Sequence, residues 1–137
     1  MLNEFTTKDM SDLLYADLSQ IKDDGNNITE VFLEIPTDES LKLFRLINTP
    51  LDSVLKSENG VPISKEFQIL IQHFGEDKSL CMQMASNTDK VLQKRNILRT
   101  SAENILYDEQ IQKYKFITSY EVRWEAPTNS FSFILKK

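Results

Sequence analysis

Alternating apolar and polar positions dominate the C-terminal part of the chain, from Lys113 to Lys137. The alternation runs through 115–124, stops at the turn-forming residues 125–129 and resumes over 130–135. Two such runs joined by about five turn residues are typical of an antiparallel hairpin. The pattern therefore predicts a C-terminal hairpin with one dry face. That face carries Phe116, Thr118, Tyr120, Val122, Trp124, Phe131, Phe133 and Leu135.

Two other segments have the periodicity of amphipathic helices. The first begins at Thr6 or Thr7, either of which can cap a helix, and ends before a turn at 23–27 in which Gly25 is a candidate left-handed cap. The second covers 78–94. Each has a single apolar stripe, so each is expected to cover one face of a sheet. The stripes are Met10, Leu13, Leu14, Leu18 and Ile21 in the first helix, and Cys81, Met84, Ala85, Thr88, Val91 and Leu92 in the second.

The segment between the helices contains strand candidates of unequal clarity. Residues 28–35 alternate with Val31, Leu33 and Ile35 facing inward. The run 41–47 fits a strand or a short helix, and we favour a strand because the run is short and Pro50 follows.

Two more strands are predicted further along the chain. Residues 65–74 place Phe67, Ile69 and Ile71 on one side, and 97–100 can form a short strand. One-sided strands with only two helices predict an α+β fold. Its two helices pack on one face of a mostly antiparallel sheet that ends in the long C-terminal hairpin. With 137 residues, of which 40% are hydrophobic, the chain is expected to form a single domain, 1–137.

Residues 51–63 are predicted to form a long loop, because they include Asn59-Gly60 and Pro62. Its apolar residues Leu51, Val54 and Leu55 have no evident partner, and long loops in compact domains are often functional. This loop is therefore a candidate contact with another subunit. A hairpin or short helix packed on the core is the structural alternative.

The chain is acidic, with 16 Lys and Arg against 21 Asp and Glu and a net charge of −5. An acidic domain gains no counterion-release affinity for DNA or RNA, so sequence-specific nucleic-acid binding is not expected. The chain has one cysteine, which excludes an internal disulfide and fits a reducing compartment. No apolar run approaches membrane-spanning length, so neither a membrane span nor a signal peptide is expected.

Catalytic chemistry has weak support. His73 and Cys81 are the pair to consider for a thiol nucleophile, but Cys81 lies on an apolar helix stripe, where thiols are usually inert. One His and one Cys cannot fill a tetrahedral metal site unaided. We expect no enzyme activity, no cofactor and no metal. A hydrolase that uses Cys81 and His73 remains an alternative.

Two further features are candidate contact surfaces. Lys90, Lys94 and Arg95 form a basic concentration at the end of the second helix, which is either a solvated face or a contact with an acidic neighbour. Trp124 ends the long strand and is either a rim anchor for a partner or a cap on the core.

The element order resembles that of one protein family. A strand over 65–71 leads to a helix, and Tyr107-Asp108-Glu109 then leads into 113–116 and 120–124. This arrangement resembles the tail-terminator, or tail-completion, proteins of long-tailed bacteriophages. The resemblance implies a structural virion protein that is assembled in the bacterial host cytoplasm. It would form a ring, of six copies, that caps the tail tube protein and joins it to the head connector or stopper protein.

Other functions remain open. A head-completion adaptor or stopper is a close relative of the terminator. A small acidic inhibitor or immunity protein that binds a basic partner is an alternative of a different class. Self-association separates them, because a terminator forms rings and an inhibitor does not.

Overall fold

The computed structural model describes residues 4–37, 40–132 and 134. In this part of the chain, two helices pack on one face of an eight-stranded sheet. All strand pairs are antiparallel except β1–β2, so the predicted α+β class is confirmed. The elements are α1 Thr7–Leu18, β1 Val31–Phe32, β2 Phe44–Ile47, β3 Leu51–Glu58, β4 Val61–Gly75, α2 Lys78–Gln93, β5 Leu98–Ala102, β6 Leu106–Asp108, β7 Lys113–Glu125 and β8 Ser130–Ser132.

The sheet is built around two long central strands, β4 and β7. They pair continuously from Ser64↔Glu125 to Gly75↔Tyr114. Strands β2 and β3 flank β4, whereas β5, β6 and β8 flank β7. The predicted strand at 115–124 is therefore correct, but its main partner is β4.

The predicted C-terminal hairpin is seen only at its start. Strand β8 pairs with β7 over three residue pairs, with Trp124 opposite Phe131. Phe133 and Leu135, which were expected to extend its dry face, lie outside the described residues.

Both helices agree closely with the sequence pattern. A capping box joins Thr6 and Asp9 at the start of α1, and the Asp77 side chain caps α2. The prediction that Gly25 caps α1 is wrong, because the helix ends at Leu18 and Ser19 caps it. Gly25 has a φ of 65° in the turn that follows, where the lack of a Cβ permits this conformation.

The main core lies between the helices and the sheet. It combines the helix stripes with the inward-facing residues of β4 and β7, so Leu14, Leu18, Phe67, Ile69 and Val122 are fully buried. Burial of this many large side chains is the principal stabilising contribution to the fold.

One strand prediction needs correction, and a second is confirmed over a shorter range. The strand expected at 28–35 is only two residues long, and Leu33 and Ile35 are exposed instead of inward, although Val31 is buried as predicted. The short parallel pairing of β1 with β2 ends at Phe32, so residues 33–35 have no partner strand among the described strands. Within 41–47, the preferred strand is found at Phe44–Ile47.

The prediction of a loop at 51–63 is wrong, because this segment forms β3, a tight turn and the start of β4. Glu58 pairs with Val61, so the turn contains only Asn59 and Gly60, with φ values of 51° and 78°. Positive φ at both residues is the signature of the two-residue turn that Asn-Gly favours. The hairpin of the structural alternative is thus found, but its strand β3 is exposed and is not packed on the core.

The outer face of the sheet, opposite the helices, carries a second and smaller apolar cluster. Phe44 stacks on Phe74 with ring centroids 4.6 Å apart, and Phe32 meets Phe44 edge-on at 5.7 Å. Leu46 completes the buried part of this cluster. The rest of this face, over the middle of β4 and β7, has no helix on it among the described residues.

Candidate functional site

A buried ion pair joins the turn after α1 to the second strand. Arg45 and Asp23 both have fully buried side chains, and the Arg45 guanidinium contacts the Asp23 carboxylate at 2.6 and 2.9 Å. The Thr29 hydroxyl and the Asn87 amide also donate to this carboxylate. Burial by itself raises the pKa of Asp23, but Arg45 and these donors hold it below its ordinary value.

The ion pair continues into a chain of hydrogen bonds that reaches β7. Arg45 Nε donates to the Thr88 hydroxyl at 2.8 Å, and Thr88 lies 2.8 Å from His73 Nε2. His73 Nδ1 lies 3.0 Å from the Phe116 carbonyl oxygen, which can only accept a hydrogen bond. The proton is therefore on Nδ1, and the Thr88 hydroxyl lies between the unprotonated Nε2 and the Met84 carbonyl oxygen, which is 3.1 Å from the hydroxyl and can accept its proton. We call Asp23, Thr29, Arg45, His73 and Thr88 the polar cluster.

His73 is held neutral in this environment. Its side chain is fully buried, and burial together with the nearby Arg45 charge lowers its pKa from 6.5 to about 3. Both ring nitrogens are occupied by hydrogen bonds within the chain. The histidine therefore joins α2 to β4 and β7.

Cys81 does not form a pair with His73. Its thiol donates to the Tyr114 carbonyl oxygen at 3.5 Å, and burial raises its pKa to about 11. Because the thiolate is the reactive form, this thiol is poorly suited to act as a nucleophile at neutral pH. The geometry thus contradicts the alternative of a Cys81–His73 hydrolase.

A second polar chain links α2 to β5 and β7. The Tyr120 hydroxyl donates to Asp89 at 2.6 Å and accepts from Thr118. Arg99 completes the chain through a 2.7 Å ion pair with Asp89, and its guanidinium lies 5.8 Å from the Phe116 ring centroid. Burial and the bond to Asp89 raise the pKa of Tyr120.

Sequence reasoning missed the polar cluster as a unit. Arg45 stands in the otherwise apolar run Phe44–Ile47, and every residue of that strand is buried. A basic residue within a short apolar strand signals either an exposed face or a buried ion pair, and the pattern alone does not say which carboxylate is the partner. Neighbouring Asp24, by contrast, is exposed.

The residues predicted to contact another subunit are exposed where they lie on β3. All eight residues of this strand are exposed, and the exposed fractions are 62% for Leu51, 52% for Val54 and 41% for Leu55. Strand β3 pairs with β4 on one side, and none of the other described strands pairs with its outer edge. It therefore combines an open edge with apolar side chains.

The hairpin made by β3 and the start of β4 extends beyond the helix layer. A 15-residue strand such as β4 is about 50 Å long, whereas the 16-residue α2 is about 24 Å long. Residues at the turn end, such as Val61, are consequently exposed.

Lys65 fastens the base of this hairpin. Its buried ammonium group contacts Glu4 at 2.5 Å, Asp52 at 3.0 Å and the Phe5 carbonyl oxygen at 3.0 Å. Burial alone lowers the pKa of Lys65, but the two carboxylates hold it above its ordinary value. Lys65 thus ties the base of the hairpin to the N-terminal segment.

The predicted basic patch is exposed, but its members differ in role. Lys90 and Lys94 are exposed at the end of α2. Arg95 is engaged within the chain, where its guanidinium binds the Asp17 carboxylate and joins the two helices. The basic patch lies at the end of helix α2, which packs on β4, β7 and β5, whereas the exposed apolar residues lie on strand β3.

The prediction that Trp124 lies at an exposed rim is wrong. Its side chain is buried in the main core, where its ring packs against Phe5, and Nε1 donates to Asn129 at 3.0 Å. The alternative, that it caps the core, is the correct interpretation. The alternation of β7 places this residue on the inner face, together with Tyr120 and Val122.

Over residues 4–37, 40–132 and 134, no group of three or more His, Cys, Asp or Glu side chains converges to hold a metal ion. Neither of the two helices in that part of the chain is long and apolar enough to cross a membrane.

No protein-family model matches the chain, and no curated protein sequence matches it. The function implied by the resemblance to tail-terminator proteins therefore stays a prediction.

Proposed function

We propose that this protein is a structural assembly protein whose copies associate head to tail into a ring. The observation that carries this proposal is the exposure of β3, an edge strand with Leu51, Val54 and Leu55 on its surface. Unpaired edge strands are ready templates for pairing with another chain. An edge that is long and apolar is expected to be covered in the working assembly.

The opposite edge of the sheet offers a different surface for the same contact. Strand β5 forms the central part of that edge, between β6 and β8, and four of its five residues are exposed. Contact of β3 in one copy with β5 in the next would continue the sheet from subunit to subunit. Because the two surfaces differ, the interface is heterologous, and such interfaces generate closed rings when the rotation between copies permits.

Following the family resemblance, the ring is a tail terminator of a long-tailed phage, with six copies as the expected number. One face of the ring binds the last ring of the tail tube protein, and the other face presents a surface to the head connector. The protein would then be part of the virion and would act by shape, without catalysis.

The first test is the size of the protein in solution. Light scattering from about 1 to 100 μM, followed by negative-stain microscopy, is expected to show rings that form with rising concentration. Changing Leu51, Val54 and Leu55 together to Ala should abolish rings. The matched control is Met82→Ala, which removes an equally exposed apolar side chain from α2 and should leave rings intact.

A crosslinking experiment tests the contact itself. Ser53→Cys on β3 and Ser101→Cys on β5 place one exposed thiol on each edge, while Cys81 is buried. A short bifunctional thiol reagent should give a ladder of covalent oligomers with the double variant and nothing larger than a dimer with either single variant. Absence of the ladder in a protein that forms rings would contradict the β3–β5 contact.

Tube capping requires a separate assay. Added to polymerising tail-tube protein of the same phage, the wild-type chain should shorten the tubes, and the triple Ala variant should not. A chain that stays monomeric in every assay and binds one basic protein tightly would favour the second candidate function, an acidic inhibitor. The net charge of −5 is the observation that supports this alternative.

A further inference from the structure

An open groove crosses the outer face of the sheet, away from the helices and the polar cluster. Its volume is about 890 Å³, and its floor is formed by the outward-facing residues of β2, β4 and β7. Residues 33–35 border it on the β2 side, and Thr100 and Ser101 of β5 border it on the other.

The lining of this groove is mostly apolar. Leu33 and Ile35 are 50% and 53% exposed, and they stand beside Leu46, Leu51 and Leu70. Exposed apolar side chains that converge on one concave surface mark an interaction site more often than scattered ones do. This arrangement also gives a reason for the exposure of Leu33 and Ile35, which the alternation had placed in the core.

The charge of the lining has one sign. Glu34 and Glu121 are the charged residues among those that line the groove, and both are acidic. A partner with basic residues beside its apolar surface is therefore complementary to it, and a partner with acidic residues would be repelled.

The dimensions and hydrogen bonds favour a helix as the occupant. Four adjacent strands span about 14 Å, which accommodates a helix of about 10–12 Å diameter. An extended peptide would need backbone partners, but the groove is floored by side chains, and Gln72 is already engaged with Asn48 at 2.8 Å. A helix satisfies its own backbone groups and needs only an apolar stripe.

Neither of the two described helices of a second copy can supply that stripe. The apolar residues of α1 and α2 are buried in their own core. The outward face of α2 carries one large exposed apolar residue, Met82, and that of α1 carries Tyr15. The occupant is consequently a different protein.

We propose that the outer groove binds an amphipathic helix of another protein, with an apolar stripe in contact with Leu33, Ile35 and Leu70 and with Lys or Arg beside the exposed Glu34. The inference does not depend on ring formation, because the groove is a side-chain surface and its test variants lie outside β3.

The test uses synthetic helical peptides of about 18 residues and the full-length chain. One peptide carries a Leu stripe flanked by Lys, the second has Glu in place of Lys, and the third has the Lys composition with its stripe scrambled. Fluorescence anisotropy is expected to show binding of the Lys peptide at least about tenfold tighter than of the other two. Raising the salt to about 0.5 M should weaken it severalfold, because exposed charges are screened.

Substitutions in the groove test whether the peptide binds there. Leu33→Ser combined with Ile35→Ser should weaken the Lys peptide about tenfold or more, and Glu34→Gln should reduce the preference for Lys over Glu. Met82→Ser is the matched control and should change neither. Thermal unfolding confirms that each variant remains folded.

Three results would overturn the proposal. These are equal affinity for the three peptides, an equal loss in the Met82→Ser control, or no binding of the Lys peptide up to about millimolar concentration. Binding of a small apolar dye that Leu33→Ser/Ile35→Ser abolishes, without peptide binding, would identify a small-molecule cavity instead.

Discussion

The polar cluster and strand β3 reverse the usual distribution of side chains. In the polar cluster, an arginine, an aspartate and a histidine are buried, each with hydrogen-bond partners inside the chain. On β3, leucine and valine face solvent and the outer edge lacks a partner strand in the described structure. Buried charges are tolerated where every donor and acceptor is satisfied. The exposed edge has no such internal compensation, which points to a partner outside the chain.

The largest effect is expected from breaking the ion pair of the polar cluster. Arg45→Met leaves the Asp23 carboxylate buried without its cation, and loss of one member of a buried pair costs about 3–5 kcal/mol of unfolding free energy. Chemical denaturation measures this cost. The double variant Arg45→Met/Asp23→Leu should recover part of it, and a double variant that is less stable than the single would contradict this account.

A smaller effect of the same cluster should appear as pH dependence. Folded His73 stays neutral down to about pH 3, whereas an unfolded imidazole takes up a proton below about pH 6.5. The unfolded state then binds more protons, so the unfolding free energy falls as the pH falls from 6.5 to 3. Between pH 7 and pH 5 the loss is about 2 kcal/mol.

The variant His73→Asn separates this titration from the others. It keeps an N–H donor for the Phe116 carbonyl oxygen but does not titrate. We expect lower stability at pH 7, by about 1–3 kcal/mol, and a much smaller decline between pH 7 and pH 5. An unchanged decline would show that the histidine is not the titrating group.

Lys65 joins β3 to the N-terminal segment and should have an intermediate effect. Lys65→Met leaves Glu4 and Asp52 without their cation, but both carboxylates are partly exposed and can be hydrated. The expected loss is about 1–2 kcal/mol. Lys56→Met on exposed β3 is the control, and its unfolding free energy should stay within about 0.5 kcal/mol of wild type.

The smallest effect on stability is expected on β3 itself. Changing Leu51, Val54 and Leu55 to Ala should alter the unfolding free energy of the monomer by no more than about 0.5 kcal/mol per residue, because these side chains are exposed. The same change should abolish assembly. A large fall in melting temperature of the monomer would mean that these side chains support the core instead.

The fold was predictable where periodicity was strong. Both helices were predicted from their apolar stripes, and both central strands from the alternation around Ile69 and Tyr120. The stripes include Met10, Leu14 and Leu18 in α1 and Cys81, Met84 and Leu92 in α2. These patterns are reliable because burial on one face is the dominant energetic demand on each element.

The β3–β4 hairpin has one local signal in the sequence, its turn dipeptide. Asn59-Gly60 is the preferred dipeptide of a two-residue hairpin turn, but Leu51 to Glu58 does not alternate, because the strand is exposed on both faces and contains a bulge near Lys56. Without burial there is no periodicity to detect. The Asn59-Gly60 dipeptide is the sequence feature that still indicates the hairpin.

The partners of Arg45 and Lys65 could not be predicted. Asp23 is 22 residues from Arg45, and Asp52 is 13 residues from Lys65. Such pairs depend on how strands are ordered in the sheet, and no local pattern encodes that order. The exposure of Leu33 and Ile35 has the same origin, because it follows from where β1 stops pairing.

The order of the central strands has a consequence for synthesis. Strand β4 leaves the ribosome with β3, its hairpin partner, but β7 follows only about 40 to 60 residues later. At a translation rate of about 5–20 residues per second, the free side of β4 waits seconds for its partner. Nascent chains on neighbouring ribosomes could pair through that side, so slower, cooler expression should raise the yield of correctly folded protein.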